Sequence, residues 1–219
     1  MNEMKLLEVD KVEITILVDN YTDLLLLQST KVQKRPAVPP PNAFLAEHGF
    51  SCLIKTYARE EEHTALMDVG ITGTCMLHNA DLLKIDLGKI EALILSHGHF
   101  DHFWGLKQVL GRIKEGVPLF LHPDAFLRRR LNIPNPKMLM DLPPLEETAL
   151  KDAGVDIQKI REDFVLDPGF ILILGEVERL TEFEKGFSWA EANINNDWVK
   201  DPFYDDRGVA MNVKGKGWL

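Results

Sequence analysis

From residue 12 the chain alternates polar and apolar side chains and then turns aliphatic, Val12-Glu13-Ile14-Thr15-Ile16-Leu17-Val18, the pattern of a strand entering a covered sheet. Residues 50–57 and 64–67 are two further strand-like runs, and the charged turn Arg59-Glu60-Glu61-Glu62 between them predicts a hairpin. Asp68-Val69-Gly70 closes the second run. Apolar residues at helical spacing then predict a helix over 74–83, stopped at Asp86-Leu87-Gly88. Residues 90–95 are almost continuously aliphatic, as a strand buried on both faces is, and they deliver the chain into His97. A helix over 102–113 follows, then a strand at 118–121 and a short helix at 124–131.

Residues 29–42 are basic and then proline-rich. Pro36, Pro39, Pro40 and Pro41 exclude helix interior and ladder strand, so this is a long loop and a candidate rim for a pocket. Residues 132–167 form a mixed segment with a helix at 145–153, read as an insertion or lid. Strand character returns at 170–174 and 209–213, with an Asp- and Asn-rich piece, 191–207, between them; Gly215-Lys216-Gly217 reads as a hairpin turn. No repeat at a solenoid period is present. Strands alternating with helices favour a layered α/β architecture in one domain, 1–219.

The composition, 45% hydrophobic and 27% charged, argues against disorder. The aliphatic run at 24–27 is far below the roughly 20 residues that cross a bilayer, and Met1-Asn2-Glu3 does not open a secretion signal; the expectation is a cytoplasmic protein with no membrane partner. Cys52 and Cys75 lack CxxC spacing and read as buried thiols. A formal charge of −9 repels a phosphate backbone, which argues against nucleic acid as a partner. Arg128-Arg129-Arg130 is the local exception and reads as a solvated helix face.

His97-Gly98-His99-Phe100-Asp101-His102 puts four ligand-type residues in six positions at a strand end. In an extended segment alternate side chains share a side, so His97, His99 and Asp101 can converge, with His102 closing the group. Imidazole and carboxylate are what a borderline divalent ion such as Zn²⁺ accepts. Asp101 at the start of the following helix is also favoured by the helix dipole.

Leu95-Ser96-His97-Gly98-His99-Phe100-Asp101-His102 resembles the signature of the metallo-β-lactamase superfamily, and Leu66-Met67-Asp68-Val69-Gly70 its upstream Asp-x-Gly turn. Residues 14–20, Ala46-Glu47-His48-Gly49-Phe50-Ser51 and Gly175-Glu176-Val177-Glu178-Arg179 are similar to prokaryotic hydrolases of the dihydropterin ribofuranosyl-aminobenzene-phosphate synthase type. The resemblance implies an αβ/βα sandwich with metals at one edge. It also implies that His97 and His99 hold one ion and Asp101 and His102 a second, Zn with Fe or Mn as alternatives. Two ions roughly 3.5–4 Å apart generate a hydroxide near neutral pH and stabilise the oxyanion formed on attack. Hydrolysis of an ester-like or phosphoester-like bond of a small molecule is the implied activity, with Asp101 in the catalytic set. Asp68 either supports the ligand loop from behind or is a plain turn residue.

The family's remaining ligands, from a Gly-Cys-Ser-His and a Gly-Gly-Phe-His stretch, have no counterpart here: His122 is the last histidine and no cysteine follows Cys75. The sandwich is therefore expected to have an incomplete second half, and the chain to be a C-terminally shortened relative, a weak or inactive hydrolase with partial metal occupancy whose activity a longer version would restore. His122 reads as a strand-end histidine unless the fold returns it to the cluster, His48 as pocket-lining or not, and His63 and His78 as structural or surface residues. Asp205-Asp206 reads as a solvated acidic turn, with donation of carboxylates to the site as the alternative. Competing with hydrolysis are a metal-binding, catalytically silent module and, from the superfamily's nucleases, a nucleic-acid-processing enzyme. The sequence leaves the oligomeric state open between monomer and homo-oligomer, although an unfinished sheet edge near Leu219 would invite pairing with another chain.

Overall fold

A computed structural model describes residues 5–26 and 28–219; Met1-Asn2-Glu3 and the last residue of the run at 24–27 lie outside the described residues. The chain begins with β1 (Glu8–Val9), β2 (Lys11–Val18), β3 (Ser51–Ala58) and β4 (Glu61–Met67), then α1 (Thr74–Leu82), β5 (Ala92–Ile94), α2 (Phe100–Phe103), α3 (Leu106–Leu110) and β6 (Pro118–Leu121). There follow β7 (Arg129–Pro134), β8 (Lys137–Asp141), α4 (Glu147–Asp152), β9 (Asp156–Lys159), β10 (Phe164–Leu166) and β11 (Ile171–Ile173). The last strands are β12 (Ala190–Ile194), β13 (Asp197–Lys200), β14 (Val209–Ala210), β15 (Asn212–Val213) and β16 (Gly217–Trp218).

The central sheet has the order β2-β3-β4-β5-β6-β9, antiparallel from β2 to β4 and parallel from β4 to β9. The β3–β4 hairpin turns where the charged run placed it, with Arg59 and Glu60 both at positive φ. Alternation along the strands splits the core in two. Leu53, Leu66, Leu93, Leu119 and Leu121 point to one face, where Met76 and Ala80 of α1, Leu106 and Val109 of α3 and Leu150 of α4 cover them. Cys52, Ile54, Ala65, Met67, Ala92, Ile94 and Phe120 point to the other, against Leu166, Ile171 and Ile173 of a small sheet, β10-β11-β14, and Met211. Burial on both faces is why 90–95 reads as a nearly unbroken aliphatic run. Each such side chain, fully buried, contributes about 1.5–3 kcal/mol. The layers are helix, sheet and second sheet, with further sheets β1-β15-β16 and β13-β12-β7-β8 at the periphery.

Four local expectations differ from the structure. The helix expected over 102–113 is two short helices separated by Gly105, whose Cα lies so close to Gly73 that a Cβ would meet the Gly73 backbone at 2.7 Å. The helix expected at 124–131 is a 3₁₀ turn, Pro123–Phe126, followed by β7, so the Arg128-Arg129-Arg130 run lies at a strand start, with Arg129 buried. The piece 191–207 contains the β12–β13 hairpin, turned at Asn195 and Asn196, both at positive φ, the backbone that a tight hairpin turn requires. The run 209–213 is divided between two sheets at Met211. Of the segment 132–167, β7 and β8 form a hairpin in the peripheral sheet and β9 is the edge strand of the central one. Residues 29–42 contain no helix or strand. No helix among the described residues is long and apolar enough to cross a membrane.

Candidate metal centre

The parallel strands β4 and β5 end side by side, and the loops that leave them are tied together. Asp68, at φ 58, donates its amide to the Ile94 carbonyl (2.9 Å), and its carboxylate accepts the Ser96 amide (2.8 Å) and hydroxyl (2.6 Å). Val69 N–H donates to the His102 carbonyl (2.9 Å) and Gly105 N–H to that of Gly70 (3.1 Å). Neighbouring Glu47 braces the first loop, accepting the amides of Ile71 and Thr72 and the Thr72 hydroxyl. The segment His97-Gly98-His99 therefore emerges from a fixed strand end, and His99 precedes the first turn of α2, which carries Asp101 and His102.

The three imidazoles meet: the His97 ring lies 4.8 Å from that of His99 and 4.1 Å from that of His102, centroid to centroid. Asp101 Oδ2 is 3.5 Å from His102 Nε2 and 3.3 Å from Nε2 of His48, which thus stands at the rim of the cluster. Asp68 Oδ2 lies 2.7 Å from His102 Nδ1. A carboxylate only accepts, so His102 carries a proton on Nδ1, and in the neutral ring the Nε2 lone pair is free. Ser96 Oγ, donating to Asp68, accepts in turn from His97 Nδ1 (3.0 Å), which leaves His97 Nε2 bare by the same logic.

Burial and the neighbouring His102 charge lower the His97 pKa below its ordinary value; burial, His97 and Arg129 push His99 down to about 2. Both are neutral, ligand-competent imidazoles. Burial opposes charge on His102 too, but the hydrogen bond and charge of Asp68, with Asp101, raise its pKa.

A second set of residues closes the cluster from later in the chain: Arg129 and Asp205, read from the sequence as surface charges, with Asp201 and Phe203, which the sequence did not single out. Asp205, 1% exposed, accepts the Gly98 amide on Oδ2 (2.7 Å) and pairs with Arg129 Nη2 (2.8 Å); Arg129 Nε pairs with Asp201 (2.8 Å), and Nη1 donates to the Gly98 carbonyl (3.1 Å). Gly98 is thus held from both sides of its peptide, and a Cβ there would run into the Ala125 backbone. Burial works against the charge of Asp205, while Arg129 and the Gly98 amide hold its carboxyl below the usual range. The Phe203 ring covers His99, with centroids 5.1 Å apart. The solvated-face reading of Arg129 and the solvated-turn reading of Asp205 are both corrected: tertiary folding buries them against each other. Asp206 is half-exposed and pairs with Arg179.

His122 stays away from the cluster. It is buried, Nδ1 accepts the Asp124 amide, and Nε2 donates to Glu176 (2.9 Å) as a structural strut. His63 pairs with Glu91, and His78 bonds the Ala43 carbonyl.

The donors fit a divalent ion in kind: the bare Nε2 of His97, the Nε2 of His102 once that ring gives up its second proton, neutral His99, the carboxylate of Asp101, and Asp205 Oδ1, which is buried beside His97 and His99 with no hydrogen-bond partner. They are not drawn into a coordination shell. Among the described residues no three His, Cys, Asp or Glu side chains are placed to hold one ion together.

A mixed sheet with helices on one face and a histidine-rich loop at the ends of its parallel strands defines a class of metal-dependent hydrolase-like folds. The profile of the metallo-beta-lactamase superfamily matches residues 50–184, more than half of the chain, and the chain belongs to that superfamily. It is 31% identical over 186 residues to a 7,8-dihydropterin-6-methyl-4-(beta-D-ribofuranosyl)-aminobenzene-5'-phosphate synthase of Methanocaldococcus jannaschii, covering 80% of this chain and 60% of that one. An uncharacterized protein of the same organism is 33% identical over 163 residues, covering 74% of this chain and 59% of its own. The chain thus spans about 60% of the length of these curated relatives. A solved structure described as a metal-dependent hydrolase of the beta-lactamase superfamily shares the fold, with a TM-score of 0.63 at 20% identity over 93% of this chain and 62% of that one.

Proposed function

We propose that this protein is a metal-dependent hydrolase that cleaves an ester-like or phosphoester-like bond of a small molecule, with His97, His99, Asp101 and His102 holding the metal and Asp68 positioning His102. The observation that carries the reading is the convergence of His97, His99 and His102 at the end of β5, with the Asp68 carboxylate behind His102. A bound divalent ion supplies Lewis acidity, which acidifies water and polarises the bond to be cleaved. The chain's own groups do the rest. Asp68 and Ser96 engage Nδ1 of His102 and of His97, which leaves Nε2 of each neutral ring as the nitrogen with the free lone pair. Asp101, whose Oδ2 lies between His102 and His48, would hold a proton taken from an attacking water. Asp205 and Arg129 keep Gly98, and with it the spacing of the two histidines, in place. The name of the methanogen relative, which specifies a small dihydropterin and ribofuranosyl phosphate compound, supports a small phosphate-bearing substrate.

A second reading, a metal-binding but catalytically silent module, is favoured by His122 standing away from the cluster, sealed against Glu176, so that it adds no further imidazole for a second ion. Elemental analysis of the purified protein, with hydrolysis of a generic phosphodiester and a generic ester in added zinc or manganese, separates the two. The hydrolase holds about two ions per chain and loses turnover in His99→Ala; the silent module holds at most one and turns over neither substrate. A chain that retains no metal, with turnover indifferent to His99→Ala, overturns the metal reading altogether.

A further inference from the structure

The peripheral sheet β13-β12-β7-β8 ends on β8, and no strand among the described residues pairs with its outer edge. Which backbone groups lie on that edge follows from the register. On one side of β7 the Leu142 amide donates to the Arg129 carbonyl (2.9 Å); on the other, Asn132 N–H donates to Trp189 (2.7 Å) and Asn193 N–H to Arg128 (2.8 Å). Hydrogen-bonded pairs alternate along an antiparallel ladder, so Arg129, Leu131 and Ile133 bond toward β8, and Arg130 and Asn132 toward β12. Leu131 lies opposite Met140 and Ile133 opposite Met138. Met138 and Met140 therefore turn their backbone groups to β7, and Lys137, Leu139 and Asp141 direct theirs outward. Pro134, which has no N–H, falls opposite Lys137, where this ladder needs none.

The side chains of β8, Lys137-Met138-Leu139-Met140-Asp141, are all exposed, Leu139 at 59%. Arg130, which faces Asp141 across the ladder, is paired with Glu191 instead, and Lys137 and Asp141 enter no ion pair among the described residues. A long-range partner is not needed to make this strand self-complementary: read in reverse, its charges exchange sign and its apolar centre is unchanged.

We propose that this edge is a homodimer interface, in which β8 pairs antiparallel with β8 of a second copy about a two-fold axis at Leu139. That register sets Leu139 against the partner's Leu139 and Lys137 against the partner's Asp141 as hydrogen-bonded pairs, so the outward amides and carbonyls of Lys137, Leu139 and Asp141 are the groups the new ladder uses. It also sets Met138 against the partner's Met140 at the closer, non-bonded positions, where apolar side chains pack best. Each Lys137 meets an Asp141 carboxylate directly across the junction, twice by symmetry. A shift of register by one residue either way loses both charge pairs and turns the bonded positions out of phase. The two sheets become one continuous sheet, and an exposed apolar edge, a hazard in a lone chain, is covered.

Sedimentation equilibrium tests this with the full 219-residue chain, alone and with charges exchanged. The expected result is a reversible dimer that weakens with added salt. Lys137→Asp and Asp141→Lys, each alone, weaken it about tenfold or more, because both symmetric pairs become repulsive. An equimolar mixture of the two single variants, and separately the double variant Lys137→Asp/Asp141→Lys, regain it. Circular dichroism of each variant shows that folding is kept, and the mixture tests pairing even where one variant is the less stable. A strictly monomeric wild-type chain overturns the proposal, since Lys137 and Asp141 are then only guards against edge pairing. So does a dimer whose affinity ignores both single exchanges, because the contact then lies on another surface.

Discussion

Replacing Arg129 by Met is the sharpest test of how the candidate site is supported. Arg129 is 3% exposed and its two carboxylate partners, Asp201 and Asp205, 1% each, with both ion pairs at 2.8 Å, so solvent screens none of the interaction. Met fills most of the volume but leaves two buried carboxylates without their cation. Removing one partner of a buried pair costs about 3–5 kcal/mol. Here two anions are stranded, which raises the figure, while the Gly98 amide on Asp205 and the Phe203 amide on Asp201 remain, which lowers it. The expected loss is about 4 kcal/mol in urea unfolding at pH 7.5, about a quarter or more of a typical domain's stability. The pH dependence carries a sign. Arg129 holds the Asp205 carboxyl low in the native protein; without it the Gly98 amide is left as the main group opposing burial, the folded-state pKa rises above the unfolded one, and the variant is penalised most at high pH. The deficit against wild type should therefore be larger at pH 8 than at pH 5. Because Arg129 also holds the Gly98 carbonyl, zinc affinity by competition titration should fall about 10–100-fold. A stability loss below about 1 kcal/mol, with zinc affinity unchanged, would refute the assignment of this triad as the strut of the His97–His99 loop.

Asp68→Asn, which keeps the shape but gives one face of the side chain donors, should weaken metal binding about 10–100-fold by freeing the His102 ring, and a titration showing native affinity would leave Asp68 a turn residue only. Gly49→Ala should destabilise the protein by at least about 1–3 kcal/mol and disturb Asp101, because Gly49 sits at φ 123 and a Cβ would strike the Asp101 carbonyl oxygen; an unaltered melting temperature contradicts this packing. Burial raises the thiol of Cys52 to about 12 and that of Cys75 to about 11, so neither should react with a disulfide reagent at pH 8 until the protein unfolds, and rapid labelling of the native chain would show the core to be open.

Local pattern determines much of this protein. The charged turn at 59–62 marks a hairpin and the aliphatic run at 90–95 a strand buried on both faces, because such burial is a nearest-neighbour matter written in side-chain polarity; the run at 12–18 also forms its strand, but on the sheet edge, where Leu17 and Val18 are buried and Ile14 and Ile16 stay exposed. The same holds for His97, His99, Asp101 and His102, whose closeness follows from six consecutive positions at a strand end, and for Asp68, whose turn lies at the end of the adjacent strand. Other features depended on groups far apart in the chain. Whether 124–131 became helix or strand was decided by pairing with β12, some 60 positions on, against a weak local helix preference. Arg129, Asp201 and Asp205 look like surface charges in any local window; only the fold brings a cation to two carboxylates across 72 and 76 residues and so makes their burial tolerable. His122 and His48 are each a lone histidine in sequence, and the tertiary structure separates them, the first sealed against Glu176, the second set beside Asp101. A polar side chain's role is set by what it meets when water is removed, and that meeting is a property of the whole chain.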